Sequence, residues 1–473
     1  MPTVFDQAIF TSVRTPMGEG YRVIASSPGV KPDEKQAMTR MSPSHKGLCL
    51  EHMKEKTEGE FVPGLAFYPL PSGRLCLAVS TFAGAEHTAR GGQRIYTHNL
   101  IFSESSLADW QFNPLEIARA ALAQGCTEPQ LKPEKLLPTI ELNPTGPDIP
   151  NSLPDQVDRQ TAKVVLNNLL LGKRTVIHLA NGWFDALEAL MMGIPGPMRG
   201  RLSFSAGLQF SVSRTHHLVI LNDEPGHAKK RSVGQPVSYF QAHEPHAEAC
   251  DAPSSWLAFV CEHWEQNDMP GLARRTNRSF ASCEAEALFA MGESFNLQVS
   301  ARRAPISDLV EMADRCHHAG YLANEPDIAR ETRNAVQSAM LDRIRTTPWN
   351  QMSGLFDAVG KWWSADDTSA SFCAPIMVTM MQQLGREDTW RAVDKMTALL
   401  ADGVRPGVQH EWEQMVDQLI TDVARVADDV EEANAMKLQR FVGTWAPQRP
   451  NSPAMKVIQK QCETLLSATQ EAG

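Results

Sequence analysis

Gln7–Gly29, QAIFTSVRTPMGEGYRVIASSPG, is the stretch whose reading decides the fold of the first part of the chain. Ala8–Val13 and Tyr21–Ser26 are β-branched and apolar. Between them lie Pro16, Gly18 and Gly20, and Pro28-Gly29 closes the second run. Two strand-like runs flanking turn residues predict a β-hairpin.

Working outward, Lys31–Met41 is polar and reads as a loop or short helix, and Gly47–Met53 is ambiguous. Leu65–Leu70, Leu75–Phe82 and Ile95–Phe102 read as three further strands. Pro71-Ser72-Gly73 supplies turn chemistry between the first two. Strands in sequence with short turns predict an antiparallel sheet. Ile95–Phe102 alternates with apolar residues on both faces, so it is expected to be central and covered on both sides. Asn113 and Pro114 form a helix start before PLEIARAALA, and Gly125 ends it. Seven prolines between Thr127 and Pro154 exclude a continuous element and read as a linker.

Residues 155–245 present helix (Gln160–Leu171), strand (Thr175–Leu179), helix (Trp183–Met192), then strands Arg201–Phe204 and His217–Leu221, with Gln209–Ser213 as a further candidate. From about 253 onward helical periodicity dominates. It is clearest in Gln409–Val426, where Trp412, Met415, Val416, Leu419, Ile420 and Val423 recur at three- and four-residue steps. No fixed self-similarity is evident, so the neutral description is an array of helical hairpins. The expected fold class is α+β: an antiparallel strand-rich N-terminal domain (1–150, with the Pro-rich linker), a small α/β middle domain (151–250) and an all-α C-terminal region (251–473).

The chain has 473 residues, 42% apolar, with net charge −10 and a pI of about 5.8. That balance argues against a general nucleic-acid or anionic-membrane binder. Nine scattered cysteines without CxxC spacing match reduced thiols and not a disulfide framework. The N-terminus lacks the regions of a signal peptide. The longest apolar run, Ala374–Met381, is far short of the ~20 residues a bilayer span requires. A soluble cytoplasmic protein without a membrane span is expected.

Catalytic motifs are missing. Gly172-Lys173 lacks the phosphate-loop frame, Ser205-Ala206-Gly207 is a fragment of a nucleophile elbow, and HExxH, Rossmann and kinase signatures do not occur. Cys316-His317-His318 has no third orienting group. His243, His246 and Cys250, with Cys261 and His263 beyond them, form a weak metal-like cluster that matches no known finger or ribbon. A solvated loop is the better reading, and no metal or cofactor is expected. Arg94 and His98 share a strand face. His98 is expected to be a buried histidine satisfied by a backbone group, or, with Arg94, part of a polar pocket.

The Gln-Ala-hydrophobic strand, the Ser12-Val13-Arg14 turn, Gly20-Tyr21-Arg22 and Ser27-Pro28-Gly29 resemble the start of the bacterial GTPase-associated protein family, N-terminal domain type two. RIYTHNLIF, Arg94–Phe102, is similar to that family's Arg-x-x-x-His-hydrophobic signature. The resemblance implies an N-terminal, a middle and a helical C-terminal region. It also implies a GTPase partner encoded nearby, and a role as adaptor in a bacterial conflict or immunity system, coupled to an effector protein. It assigns no catalytic residues. Tyr21 and Arg22, with Arg94 and His98, are the candidate pocket or interaction residues. The preferred reading is a non-enzymatic adaptor or regulator. The alternatives are an enzyme with a pocket in the N-terminal domain, or a longin- or DENN-like exchange module by fold analogy.

Overall fold

The computed structural model describes residues 2–471 except 16–17, 45–46, 49–62, 87–92, 126–127, 131–132, 145, 147–148, 180, 223–235, 246–253, 319–320, 349–350, 385–388, 402–407, 428–429 and 431–433. Two compact units divide the chain, Met1–Gly292 and Glu293–Gly473.

Unit 1 is built on one mixed sheet. Its strands are β1 (Thr3–Thr15), β2 (Gly18–Ser26), β3 (Gly64–Pro69), β4 (Leu75–Ala85), β5 (Gln93–Phe102), β6 (Ile140–Leu142), β7 (Thr175–His178), β8 (Phe204–Ala206), β9 (Leu218–Leu221) and β10 (Ser238–Gln241). Their spatial order is β10-β7-β9-β8-β3-β4-β5-β1-β2, with β6 alongside β1. The half from β3 to β2 is antiparallel, and β10, β7, β9 and β8 are mutually parallel. The antiparallel pairing of β3 with β8 joins the halves, so strands on either side of residue 150 share one sheet.

The expected hairpin is β1–β2, and it is longer than the sequence indicates. Gly18 and Gly20 belong to β2, leaving 16–17 between the strands. The Pro71–Gly73 turn links β3 to β4. Gly73 sits at φ +82°, and its N–H donates to the Leu70 carbonyl at 3.0 Å. β5 lies between β1 and β4, with Ile95–Phe102 buried throughout, as the two-faced alternation predicts.

The polar segment after the hairpin is α1 (Pro32–Met41). Its Glu34 carboxylate accepts the Lys31 N–H at 2.8 Å, a capping contact, and is gripped by Arg74 at 2.6 and 2.9 Å. Arg74 also reaches Asp6 at 2.5 Å, which ties α1 to β1 and to the β3–β4 turn. One sheet face packs Ala8, Ala66, Cys76, Ala78 and Ile101 against Met38 and Met41 of α1. Next come α2 (Glu104–Asp109) and α3 (Pro114–Ala123), the latter capped by the Asn113 side chain on the Leu115 N–H at 3.0 Å. Within the Pro-rich stretch, β6 pairs with Thr3–Phe5.

Unit 1 continues with α4 (Arg159–Leu170), α5 (Trp183–Met192), α6 (Gly196–Arg199), α7 (Ser254–Glu265) and α8 (Met269–Thr276). Gln209–Ser213 is not a strand, whereas β10 lies in a region that reads as a polar loop. Arg199 is wholly buried. Its guanidinium donates to the Ile194 carbonyl (2.9 Å), Thr276 (2.9 Å) and Asn277 (2.6 Å), which fastens α6 to the end of α8. Helix α9 (Ala285–Ser300) follows.

Unit 2 holds α10 (Ile306–Cys316), α11 (Pro326–Ile344), α12 (Ser353–Ala365), α13 (Asp367–Leu384), α14 (Thr389–Ala401), α15 (Gln409–Val426), α16 (Ala435–Trp445) and α17 (Pro453–Glu471). They pair as α10/α11, α12/α13, α14/α15 and α16/α17. First helices touch first helices along one row (α10, α12, α14, α16), and second helices touch along another (α11, α13, α15, α17). Each pair stacks on the one before, so this unit is an α-solenoid of four helical hairpins among the described residues. The second helices begin at Pro326, Asp367, Gln409 and Pro453, spacings of 41, 42 and 44 residues. Trp412, Met415, Val416, Leu419, Ile420 and Val423 of α15 are core, as their periodicity predicts. So are Met377, Met380 and Met381 of α13.

Candidate functional site: a basic cleft in unit 1

Tyr21, Arg22, Arg94 and His98, the candidate pocket residues, are all described, and they do not share one pocket. Tyr21 Oη donates to Glu86 Oε2 at 2.6 Å and accepts the Ile95 N–H at 3.1 Å. Ser12 Oγ donates to the other Glu86 oxygen at 2.6 Å. Burial, then the bond to Glu86, pushes the Tyr21 phenol well above its ordinary value. Arg94 turns its guanidinium onto the Ala83 carbonyl, at 2.6 and 3.1 Å. Arg22 is exposed on the outer strand of the sheet, opposite Thr11.

His98 is 1% exposed and meets Gln7 Oε1 at 2.8 Å. The contact recorded for Nε2 is thus to a side chain, where a backbone group was expected. Gln7 in turn donates to the Pro138 carbonyl at 2.7 Å, and Ser27 Oγ reaches the same carbonyl at 3.0 Å. This chain of bonds holds the Pro-rich segment against β1. Four residues along a strand separate Arg94 from His98 by ~13 Å. They serve different contacts: Arg94 the β4–β5 end of the sheet, His98 the seam with residues 136–142.

The metal-like cluster does not assemble among the described residues. His243 is exposed, and His246 and Cys250 lie outside those residues. His263 is buried beside Asp268 at 3.1 Å, a helix-end contact. No group of three or more His, Cys, Asp or Glu among the described residues is placed to hold a metal ion. In unit 2, Cys316 is buried, and burial pushes its thiol up to about 11. His317 packs edge-on to Phe372 at 4.6 Å, and its Nδ1 lies 3.1 Å from Ser369 Oγ. Both are packing residues.

What the sequence reading missed is a cleft of about 570 Å³ at the amino-terminal ends of β7, β8 and β9. The registers Thr175↔Leu218 and Phe204↔Leu218 align the residue just before each strand: Arg174, His217 and Ser203. Backbone bonds fix that row, with Thr175 N–H on the His217 carbonyl (2.7 Å) and His217 N–H on the Ser203 carbonyl (2.9 Å). β3 runs antiparallel to β8, so its carboxyl end brings Tyr68, Leu70 and Pro71 to the same place. The last turn of α1 contributes Arg40 and Met41. A cation there also complements the negative end of the helix dipole.

Among the described residues the polar wall of the cleft is Arg40, Arg174, Ser203, Thr215 and His217, and no acidic side chain lines it. Among the described residues neither Arg40 nor Arg174 makes an ion pair. Arg174 Nε donates to the His216 carbonyl at 3.2 Å, while its Nη2 is buried and has no hydrogen-bond partner among the described residues. His217 Nδ1 accepts the Ser203 N–H at 3.0 Å and lies 3.0 Å from Ser203 Oγ, so the proton of the neutral ring is on Nε2. Burial, then the neighbouring Arg174, lowers the His217 imidazole below its ordinary value and favours that neutral form. Behind the wall, His216 is 1% exposed, packs on Tyr68 and makes no side-chain hydrogen bond among the described residues. Burial, with Arg214, Arg174 and His217 adding, lowers it to about 3. Among the described residues no carboxylate is recorded against the His217 imidazole, so the Ser203–His217 contact lacks the third, orienting member of a triad.

These features define an α+β protein with a mixed ten-stranded sheet followed by a helical solenoid. Residues 4–141 match the family model of GTPase-associated protein 1, N-terminal domain type 2, which supports the resemblance drawn from Gln7–Gly29 and Arg94–Phe102. The match takes in β1 to β6 and the Arg40 side of the cleft, and stops short of Arg174, Ser203 and His217. No curated protein matches the chain. No described helix is long and apolar enough to cross a membrane.

Proposed function

We propose that this protein is a non-enzymatic adaptor that binds a partner GTPase through a macromolecular surface and couples it to an effector protein. The observation that carries the reading is the match of residues 4–141 to a domain described as GTPase-associated. The solenoid of unit 2 supports it. Stacked helical hairpins expose long, continuous faces, an architecture used to hold other proteins. The residues singled out as a possible active pocket also support it. Tyr21, Arg94 and His98 are each engaged by groups of their own fold.

A cytoplasmic setting and a role in bacterial conflict, immunity or signalling accompany this reading, since they follow from the family resemblance. The test is co-expression of the full chain with the GTPase encoded beside it, followed by size exclusion in GDP and in a GTP analogue. A stable complex that differs between the nucleotide states is expected. Separate elution in both states overturns the proposal.

A further inference from the structure

We propose that the cleft framed by Arg40, Arg174, Ser203, Thr215 and His217 binds a small organic phosphate monoester. This site goes beyond the GTPase reading and does not rest on it.

Charge comes first. The chain carries a net charge of −10, yet two arginines meet in one cleft with no acidic side chain lining it and no ion pair to either among the described residues. A concave site of one sign, with low-dielectric walls, draws a ligand of the opposite sign. The charge of Arg174 is uncompensated as well: among the described residues its recorded acceptor is the neutral His216 carbonyl, at 3.2 Å from Nε.

The donor set then narrows the anion. Two guanidinium groups, the Nε2–H of a neutral His217 and the Thr215 hydroxyl come from three separate elements and loops. Donors arriving from several directions suit a tetrahedral group with three terminal oxygens better than a planar carboxylate, which one fork-shaped guanidinium already satisfies.

The lining also includes the apolar side chains of Met41, Leu70 and Pro71. A cleft of about 570 Å³ is in the usual range for small-molecule sites. Its volume and its mixed lining fit a phosphate joined to a compact organic body. The site is preformed, because strand register fixes Arg174, His217 and Ser203, and the capped helix α1 fixes Arg40.

Calorimetric titration of the full chain tests the proposal, using inorganic phosphate, guanosine and adenosine 5′-monophosphates, glucose 6-phosphate and guanosine as probes. At least one monoester is expected to bind saturably, inorganic phosphate more weakly, and the nucleoside not at all. Comparing the nucleotides with the sugar phosphate shows which organic body the apolar lining takes. R40A, R174K and H217Q are each expected to weaken binding about tenfold or more. Arg40 is exposed, so R40A should melt with the wild type, and it decides the matter alone if R174K or H217Q melts early. The proposal is overturned by absence of saturable binding of every phosphate at millimolar concentration. It is equally overturned by guanosine binding as tightly as its monophosphate, or by unchanged affinity in folded R40A.

Discussion

Arg119 of α3 and Glu188 of α5 form a two-pronged ion pair across the Pro-rich stretch, Nη1 to Oε1 at 2.8 Å and Nη2 to Oε2. Glu188 is wholly buried, and the Asn113 side chain adds a third bond to it at 3.1 Å. Removing one partner of such a pair leaves an uncompensated buried charge. E188A should therefore lose about 3–5 kcal/mol. E188Q keeps an acceptor for Asn113 and should lose less, about 1–3 kcal/mol. Urea denaturation of the full chain checks both, and a midpoint unchanged in E188A contradicts the assignment.

The same sheet sets a second expectation. β3 pairs with β8 through Leu65↔Ala206, Ala66↔Ser205 and Phe67↔Phe204. A fragment ending at residue 150 exposes the β3 edge and leaves Arg119 without Glu188. Open, apolar strand edges pair with one another. Fragment 1–150 should elute as aggregate or oligomer, whereas 1–292 should be monodisperse. A monomeric, cooperatively melting 1–150 would show that residues 1–150 form an independent domain.

Stability should fall in mild acid. In the folded chain His216 is lowered to about 3, and His217, His263 and His317 are lowered as well, each chiefly by burial. Below pH 6.5 the unfolded chain binds protons that the folded chain refuses, so stability is complete above that value and declines as pH drops toward the folded values. By pH 5 His216 alone should cost about 2 kcal/mol. Denaturant midpoints measured from pH 8 to pH 5 read this directly. H216L should flatten the slope, and an identical pH profile in that variant would refute the role.

Tyr21 tests the hydroxyl pair around Glu86. Y21F removes the 2.6 Å bond to Glu86 Oε2 and the acceptor of the Ile95 N–H, while Ser12 stays in place. A loss of about 1–3 kcal/mol is expected, with the fold retained. Thermal melting alongside the near-ultraviolet spectrum measures it. Wild-type stability would mean that water replaces the phenol.

Local chemistry made part of this molecule readable. The β1–β2 hairpin, the Asn113-Pro114 helix start and the periodic α15 each carry their signal within a dozen residues. What was left open, misplaced or missed depends on partners distant in sequence: Lys31–Met41 reads as a loop or a short helix, and the strand expected at Arg201–Phe204 lies at Phe204–Ala206. α1 is polar on most positions and is held by Glu34 meeting Arg74, forty residues away. β6 and β8 span three residues each and exist because β1 and β3 offer them edges. The cleft was invisible for the same reason. Arg174, Ser203 and His217 share no motif, and only the register of three parallel strands sets them in a row. Gly172-Lys173, just before Arg174, is the one local feature there, and it fails the phosphate-loop pattern. Arg94 and His98 stand four residues apart on β5, a length of strand that holds two unrelated contacts, Ala83 for one and Gln7 for the other.

Because the main contacts of each helical pair in unit 2, among the described residues, are with the pairs beside it, the length of the stack is adjustable. Duplication or deletion of one segment of about forty residues would lengthen or shorten it without redrawing the remaining contacts. Selection can thereby change the number of pairs in the stack while the sheet of unit 1 keeps its own architecture.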